Sequence, residues 1–375
     1  MKKTASWMLT TVAAGALLAG CTSATADNGS SASGEKISNA CTQAAGAIVD
    51  KAREATPLIV PEAPIDLAAA KGKNIWMIMV VTNQFTSAAA EGFNEAAAAA
   101  GVKATVYDGQ GQTNKFNEGM AQAIAQKADA IVLLGIEPAM LSGSLNDAAR
   151  AGIPVINALS GDASAPLANG VFANVSANYT ADGSALAAWT LVDSNCSAST
   201  FFAQPTAIEI YKNMADGAEK VYRENCPDDC SLDIQEIDLA NAATDLPQKV
   251  ETAMKRNPDT TYVMTNWDSG VTFVEPTVAM TNPDAKILGR DGIATSLDSI
   301  RSGKGQDVTM AAPPEAWLGW VMVDNAIRSV TGAQPSGIVI PTRLVDETNV
   351  GDSNADVNPN YKDFQNAFKE AWSKN

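Results

Sequence analysis

The 375-residue sequence contains no histidine. This absence excludes Ser-His-Asp and Cys-His catalytic arrangements, and it excludes every metal site built on imidazole. It also removes the side chain that most often serves as a general base in enzymes. The composition therefore predicts a protein that is not an enzyme and that uses no metal or cofactor.

Basic residues are scarce. The chain has 26 lysines and arginines against 42 acidic residues, which gives a formal net charge of −16. A chain this acidic repels nucleic acid and anionic lipid, so neither is an expected partner. The 46% of apolar residues and 18% of charged residues are typical of a globular protein, and the length allows two lobes with ordinary cores.

The chain begins with a short apolar stretch at residues 7–18, which is too short to span a bilayer because spanning needs about 20 apolar residues. Two lysines precede it, and the pattern predicts a secretory signal over residues 1–20. The Leu-Ala-Gly sequence before Cys21 resembles a bacterial lipobox, which predicts that Cys21 is lipid-modified and becomes the mature N-terminus. The composition of residues 22–34 predicts a flexible tether, so this anchor is the only membrane contact expected.

Cysteine is rare, and the four cysteines beyond Cys21 are Cys41, Cys196, Cys226 and Cys230. An even number in an exported chain predicts two disulfides. Cys196 precedes one predicted strand, and Cys230 precedes the next. Because the starts of neighbouring parallel strands lie close together, Cys196 is expected to pair with Cys230 or Cys226. A redox or metal site between the last two cysteines is disfavoured, since their spacing is not CxxC and no histidine can help.

The body of the chain alternates between strand and helix patterns. The unbroken apolar run at residues 75–81 indicates a strand that is buried on both faces, as in a parallel sheet. The alternation forms two consecutive series of similar size, which restart after a helical pattern at residues 180–192. Strands are predicted at 75–81, 104–107, 130–134, 155–158, 171–175, 200–203, 232–237, 262–265, 286–288, 308–311 and 337–341. The fold class is therefore α/β, with two lobes and a cleft between them.

Five short segments lie at the ends of these strands and helices. They are Thr82-Asn83-Gln84-Phe85, Asp108-Gly109-Gln110, Gly152-Ile153-Pro154-Val155-Ile156, Asn266-Trp267-Asp268 and Gly289-Arg290-Asp291-Gly292. Their order and spacing resemble the type I periplasmic-binding-protein family, the ribose-binding-like receptors of ABC importers. The resemblance covers roughly residues 72–345, and it implies two Rossmann-like lobes with parallel sheets joined by a three-segment hinge.

The resemblance also implies a division of the chain. Residues 1–20 are the signal peptide, and residues 21–71 are the lipid-anchored tether and a lead-in helix. Crossings between the lobes are expected near residues 177, 312 and 337. The first lobe is then 72–177 plus 313–337, and the second is 178–312 plus 338–375.

The strand-end loops supply candidate ligand contacts. Phe85 and Trp267 could stack on the C–H faces of a sugar, and Asn83 and Asp291 stand where family members hydrogen-bond to hydroxyl groups. Asp268 could bind ligand or cap a helix, and Arg290 could bind ligand or form a structural ion pair. The whole set of expected ligand-binding residues is Asn83, Phe85, Glu137, Ser160, Tyr179, Trp267, Asp268, Arg290 and Asp291.

The expected pocket differs from that of ribose-binding relatives. Leu159-Ser160-Gly161 replaces the usual Asp-Arg pair, Ala312 replaces a frequent glutamine at the middle crossing, and Thr86 replaces one aromatic residue. Ribose is therefore not the expected ligand. A neutral polyol, another sugar or a sugar-acid-like molecule all remain open.

The resemblance implies a monomeric, non-enzymatic lipoprotein that lies at the outer face of the cell membrane or in the periplasm. It would deliver a small polar ligand to an ABC permease when its lobes close. One alternative is a sensor that passes ligand occupancy to a chemoreceptor or kinase. A less favoured alternative is a glycosidase that uses Glu137, Glu209 or Asp268 as its carboxylate pair.

One acidic segment, from Asp352 to Asp363, places oxygen-bearing side chains at alternate positions. A calcium loop is disfavoured there, because Val357 stands where such a loop requires glycine and the final ligand is Asp instead of Glu. A polar surface loop is expected instead.

Overall fold

The computed structural model describes residues 29–206 and 208–373. The expected signal, Cys21 and the first part of the tether lie outside these residues. Among the helices that are described, none is both long and apolar enough to cross a membrane. The first helix already begins at Gly29, so the prediction of a flexible tether through residue 34 is wrong from that residue onward. Extending an existing helix adds one hydrogen bond for each residue fixed, which favours this extension.

The described chain contains strands and helices in alternation. The strands are β1 (Asn74–Met79), β2 (Lys103–Asp108), β3 (Ala130–Leu134), β4 (Val155–Ala158), β5 (Val171–Ala177), β6 (Ser199–Pro205), β7 (Ser231–Ile237), β8 (Tyr262–Met264), β9 (Lys286–Asp291), β10 (Gln306–Ala311), β11 (Val339–Ile340) and β12 (Arg343–Val345). The helices are α1 (Gly29–Ala52), α2 (Leu67–Ala70), α3 (Gln84–Ala100), α4 (Thr113–Ala125), α5 (Ser142–Arg150), α6 (Tyr179–Asp193), α7 (Glu209–Asn225), α8 (Ala242–Arg256), α9 (Asp268–Thr281), α10 (Ala294–Ser302), α11 (Glu315–Thr331), α12 (Asn354–Val357) and α13 (Phe364–Ser373).

The strands form two six-stranded sheets, which confirms the predicted two-lobed α/β fold. The first sheet has the order β11-β5-β4-β3-β1-β2, and all of its pairs are parallel. The second has the order β12-β10-β9-β8-β6-β7, in which only β12 pairs antiparallel. Alternate residues of β1 enter different cores: Ile75 and Met77 join one apolar cluster, while Trp76 and Ile78 join another. Burial on both faces explains the continuous apolar run.

The chain passes between the sheets after β5, after β10 and after β11. Because Val339 and Ile340 pair with β5 in the first sheet, the third crossing lies after Ile340, a few residues beyond the position expected near residue 337. The last helix also departs from its predicted lobe. Trp372 of α13 stacks on Trp320 of α11 at 5.2 Å between ring centroids, and α11 packs against α3 of the first lobe. Burial of these aromatic rings, which local sequence patterns do not locate, holds α13 there.

The lead-in helix α1 packs against α6 of the second lobe, and Arg53 at its end forms an ion pair with the buried Asp346. Residues 54–66, which we call the N-terminal strap, then run along the hinge to the first lobe. The strap's backbone carbonyl groups accept hydrogen bonds from Tyr361 (at Pro57, 2.7 Å) and from Trp317 (at Ile59, 2.9 Å). The chain therefore connects the lobes once more, ahead of β1.

The disulfides are Cys41–Cys196 and Cys226–Cys230. The predicted pairing of Cys196 with Cys230 or Cys226 is therefore wrong. The sequence did not reveal that α1 lies against the second lobe, where Cys41 reaches Cys196 in the turn after α6. Cys226 and Cys230 close a short turn at the end of α7, with their Cα atoms 5.6 Å apart.

Replacing Cys41 and Cys196 together by serine should lower the free energy of unfolding by about 2–5 kcal/mol, because a long loop gains entropy in the unfolded chain. The double serine variant of Cys226 and Cys230 is the control, since it opens a loop of only 4 residues against 155. Its loss should be about 2 kcal/mol or less. Denaturant titration measures both losses, and a non-reducing peptide map that links Cys196 to Cys226 or Cys230 would contradict the pairing.

Two helix pairs pack with their backbones in contact, one pair in each lobe. Gly319 of α11 faces Gly92 of α3, and a Cβ atom on Gly319 would stand 2.2 Å from the backbone nitrogen of Phe93. Gly183 of α6 and Gly217 of α7 approach their neighbours as closely in the second lobe. Any side chain at these positions would force the helices apart.

Gly319→Ala should therefore lower the free energy of unfolding by about 2–3 kcal/mol, as measured by denaturant titration. Gly143→Ala in α5 is the matched control, because no atom lies within 4 Å of its Cβ position. That variant should be unchanged or slightly more stable, since alanine favours helix. Equal effects of the two substitutions would argue against the close packing of α3 and α11.

Candidate functional site

The carboxyl ends of strands from both lobes meet at a small cavity beside the hinge. The cavity lies between Phe85 at the start of α3, Leu159 after β4 and Arg290 at the end of β9. Hinge residues complete the wall, among them Ala312, Glu315 and Ile340. Parallel α/β sheets bind their ligands at this end of the strands, so the cavity is the candidate binding site.

Arg290 provides the positive charge at this cavity. Its side chain is 4% exposed, and it donates from Nε to Asp182 (3.2 Å) and from Nη1 to Asp291 (3.1 Å). The guanidinium carbon lies 4.5 Å from the centre of the Tyr179 ring. Among the described residues, Nη2 has no hydrogen-bond partner. Arg290 thus forms structural ion pairs and also keeps one nitrogen without a partner among the described residues. The two roles considered for it, ion pairing and ligand binding, are therefore compatible.

Tyr179 and Asp182 contact the guanidinium of Arg290, the first through its ring and the second through an ion pair. Both are fully buried in the first turn of α6, directly after the first crossing. Burial raises the pKa of the Tyr179 hydroxyl to about 12, so its ring faces the cation as a neutral group. Asp182 also accepts a hydrogen bond from Thr342 Oγ1 (2.6 Å), which lies at the third crossing. Tyr179 therefore packs its ring against Arg290. Asp182 is a site residue that the sequence did not reveal.

Asp268 is buried, and its carboxylate is fully engaged by the protein. It accepts hydrogen bonds from the backbone nitrogen of Gly292 (2.7 Å), from Gln306 Nε2 (2.7 Å) and from Thr309 Oγ1 (2.9 Å). These bonds fasten the loop after β9 to β10. The residue at the N-cap position of α9 is Trp267, so Asp268 does not have the expected role of helix cap. A ligand contact for Asp268 stays a prediction.

Ser160 is also committed to the interior. It is fully buried and donates to Asn157 Oδ1 at 2.6 Å. Its hydroxyl therefore holds the loop after β4, and a ligand contact for Ser160 stays a prediction.

Asn83 and Phe85 lie together at the start of α3. The Asn83 side chain accepts from the Thr86 backbone nitrogen (2.9 Å), and Thr86 Oγ1 accepts from the Asn83 nitrogen (2.9 Å), which forms a capping box. This cap orients the half-buried Phe85 toward the cavity. Asn83 Oδ1 is occupied, so its amide nitrogen is the group left for a ligand.

Trp267 and Glu137 stand apart from the small cavity. Trp267 is half-buried and meets Tyr211 edge-on at 5.9 Å between ring centroids. Glu137, in the first lobe, faces Glu209 of the second, and burial together with the charge of Glu209 raises the Glu137 pKa. Thr295 Oγ1 donates to Gln84 Oε1 (3.0 Å), which is a second contact between the lobes. The cleft is therefore closed at these two points.

Strained backbone marks the cavity. Leu159, Asn266 and Asp291 have φ angles of 59°, 69° and 136°, in the region that favours glycine. All three lie at the carboxyl ends of strands, where strain is often associated with function. Leu159 was noted in the sequence only as a departure from relatives, because no local pattern shows that its backbone turns into the cavity.

Two carboxyl groups at the cavity have unusual pKa values. Burial raises the pKa of Asp291 to about 7, with the charge of Asp268 adding to the effect and Arg290 opposing it. Burial likewise raises the pKa of Glu315 to about 7, and the charge of Asp268 contributes. Glu315 follows two prolines at the middle crossing, and nothing in that sequence indicated a position in the binding site.

The segment from Asp352 to Asp363 forms a helix start. Asp356 accepts hydrogen bonds from the backbone nitrogen (2.9 Å) and hydroxyl (2.8 Å) of Ser353, which caps α12. No group of three or more acidic or cysteine side chains suited to a metal ion occurs among the described residues.

Comparison with known proteins identifies a matching family and similar structures. A family profile described as "Periplasmic binding protein domain" matches residues 75–334. The structure resembles an ABC sugar transporter subunit from Rhodobacter sphaeroides 2.4.1, with 18% identity, a TM-score of 0.66 and coverage of 74% of this chain and 99% of that one. It also resembles the Caulobacter myo-inositol-binding protein bound to myo-inositol, with 18% identity, a TM-score of 0.66 and coverage of 75% and 95%. A third similar structure is an ABC transporter solute-binding protein from Agrobacterium vitis bound with α-D-tagatopyranose. Its identity is 20% and its TM-score is 0.65, and the match covers 75% of this chain and 96% of that one. No curated protein matches the sequence significantly.

The raised carboxyl pKa values predict how stability depends on pH. Asp291 and Glu315 titrate near pH 7 in the folded chain, and carboxyl groups in an unfolded chain titrate near pH 4. Between these values the folded state binds more protons, so stability should be higher near pH 5 and should fall as the pH rises through 7. Thermal melting of the ligand-free protein from pH 5 to 8.5 measures this fall.

Asp291→Asn and Glu315→Gln should each flatten that pH profile. Glu219→Gln is the control, because Glu219 lies exposed on α7. A melting temperature that rises with pH over this interval would contradict the assignment.

Proposed function

Because the chain belongs to the periplasmic binding protein family, whose members are non-enzymatic solute-binding proteins, we propose that it delivers a small polar ligand to an ABC permease. The observation that carries this proposal is the hinge cavity, which both lobes line and at which Arg290 Nη2 lacks a partner among the described residues. A ligand that contacts both lobes stabilises the closed arrangement by its differential affinity. The permease would recognise that closed form.

The proposed ligand is a sugar or a polyol. Phe85 offers a ring for C–H groups, and Arg290 Nη2 and the Asn83 amide offer donors to hydroxyl oxygens. Structural relatives were solved with α-D-tagatopyranose, myo-inositol, allitol and D-arabinose. Their identities of 18–20% support the fold, and the shared cleft supports a ligand of the same chemical class.

The family implies a place outside the cytoplasm. We extend this to a lipid anchor at Cys21, a monomeric state and a permease partner, which rest on the sequence. A sensor would use the same two lobes and the same cavity. Loss of ligand uptake when the gene is deleted favours import, and loss of a ligand response with uptake intact favours sensing.

A glycosidase requires two free carboxyl groups on either side of the sugar. Asp268 has its oxygens occupied by four protein donors, which leaves Glu137 and Glu209 at the lip of the cleft. This arrangement favours binding over hydrolysis, and we propose no catalytic residue.

Phe85→Ala should weaken binding of the cognate sugar or polyol about 10–100-fold, because it removes apolar surface from the cavity. A thermal-shift screen of purified protein against sugars and polyols, including myo-inositol, allitol and glycerol, identifies the ligand, and calorimetry measures its Kd. Met280→Ala, which changes a side chain on the exterior that is 80% exposed, is the control. A Phe85→Ala variant that keeps its affinity would remove Phe85 from the site, and a screen without any stabilising sugar or polyol would contradict the ligand class.

A further inference from the structure

Two polar groups line the hinge cavity. One is Arg290 Nη2, on the side of the second lobe, which is buried and has no hydrogen-bond partner in the described part of the chain. The other is the half-buried Glu315 carboxylate at the start of α11, on the side of the first lobe, for which the structure gives no ion pair and no hydrogen bond to another residue. The ion pairs of Arg290 are to Asp182 and Asp291, so it does not compensate Glu315 directly.

A buried donor without a partner is unfavourable, and native proteins rarely retain such a group without a reason. A hydroxyl group suits both side chains, because it accepts one hydrogen bond and donates another. A molecule with two or more hydroxyl groups in this cavity would accept from Arg290 Nη2 and donate to Glu315. A carboxylate group cannot do this, because an ionised carboxylate only accepts hydrogen bonds.

The charges at the cavity also favour a neutral ligand with hydroxyl groups. The single positive charge of Arg290 is already matched by Asp182 and by Asp291, both within 3.2 Å of its nitrogen atoms. Glu315 then adds negative charge without a cation of its own, and Asp268 adds more nearby. A ligand with an anionic group would therefore enter a region of the same sign and would lose its hydration there.

We infer that Glu315 is a specificity-determining residue that accepts a hydrogen bond from a ligand hydroxyl and excludes sugar acids from the cavity. The inference rests on the proposed function and narrows its ligand class, because the sequence alone left sugar acids open. It also assigns a binding role to a residue at the start of a hinge helix. The Glu315 carboxylate is the acceptor, and Arg290 Nη2 is the matching donor.

The test compares neutral and acidic members of matched pairs: D-galactose with D-galacturonate, and sorbitol with gluconate, together with myo-inositol as a further neutral probe. The wild-type protein should bind the neutral member of a pair at least about tenfold more tightly than its acid, by calorimetry at pH 8. Glu315→Gln keeps the size of the side chain and removes its charge. This variant should reduce the preference for the neutral member at least about tenfold, mainly by improved binding of the acid.

Glu219→Gln removes the same charge from the exposed face of α7 and should leave the preference unchanged. Circular dichroism and melting confirm that both variants fold. If Glu315→Gln does not fold, the wild-type protein provides the second measurement. Its preference for the neutral member should fall between pH 8 and pH 6, as Glu315 is protonated beside Asp268, Asp291, Asp182 and Arg290.

The outcomes separate the two proposals. Tighter binding of the acid by the wild-type protein overturns the role of Glu315. So does an unchanged preference in a folded Glu315→Gln variant that still binds the neutral probe, and in that case the proposed function stands. Absence of binding by every sugar and polyol tested overturns the ligand class itself. A reduced preference in Glu315→Gln with an unchanged preference in Glu219→Gln supports the inference.

Discussion

The buried guanidinium of Arg290 organises the centre of this molecule. A charge removed from water is costly unless nearby groups compensate it, and two carboxylates and the face of an aromatic ring do so here. These groups come from separate parts of the chain: Tyr179 and Asp182 follow the first crossing, while Asp291 ends β9. Thr342, at the third crossing, completes the network through Asp182. One cation therefore couples the hinge to the floor of the binding site.

The loops around this cation are held by hydrogen bonds within the protein. Asp268 fastens the loop after β9 to β10, and Ser160 and Asn157 fasten the loop after β4. The polar groups of these side chains form hydrogen bonds within the protein, which leaves few polar groups that a ligand can contact. Such preorganisation lowers the entropic cost of binding and confines recognition to a few contacts.

The fold was predictable because its signals are local. Continuous apolar runs such as residues 75–81 marked strands buried on both faces, and the restart of the alternation marked the second lobe. The disulfide partners were not predictable in this way, because they depend on the lobe against which α1 packs. The side-chain roles at the cleft were only partly predictable. Asp268 follows β8 and Arg290 lies at the end of β9, but only the tertiary structure shows that the first is fully bonded by the protein and that the second retains a donor without a partner among the described residues.

The two ends of the described chain are exchanged between the lobes. Helix α1 precedes the first lobe in sequence but is joined to the second by Cys41–Cys196, whereas α13 follows the second lobe but packs on the first through Trp320 and Trp372. No single cut of the chain would therefore release two complete halves. Each lobe therefore packs against a helix from the far end of the described chain, which couples the folding of the two lobes. The N-terminal strap adds one further connection between the lobes, and hydrogen bonds from Trp317 and Tyr361 to its backbone fix its path.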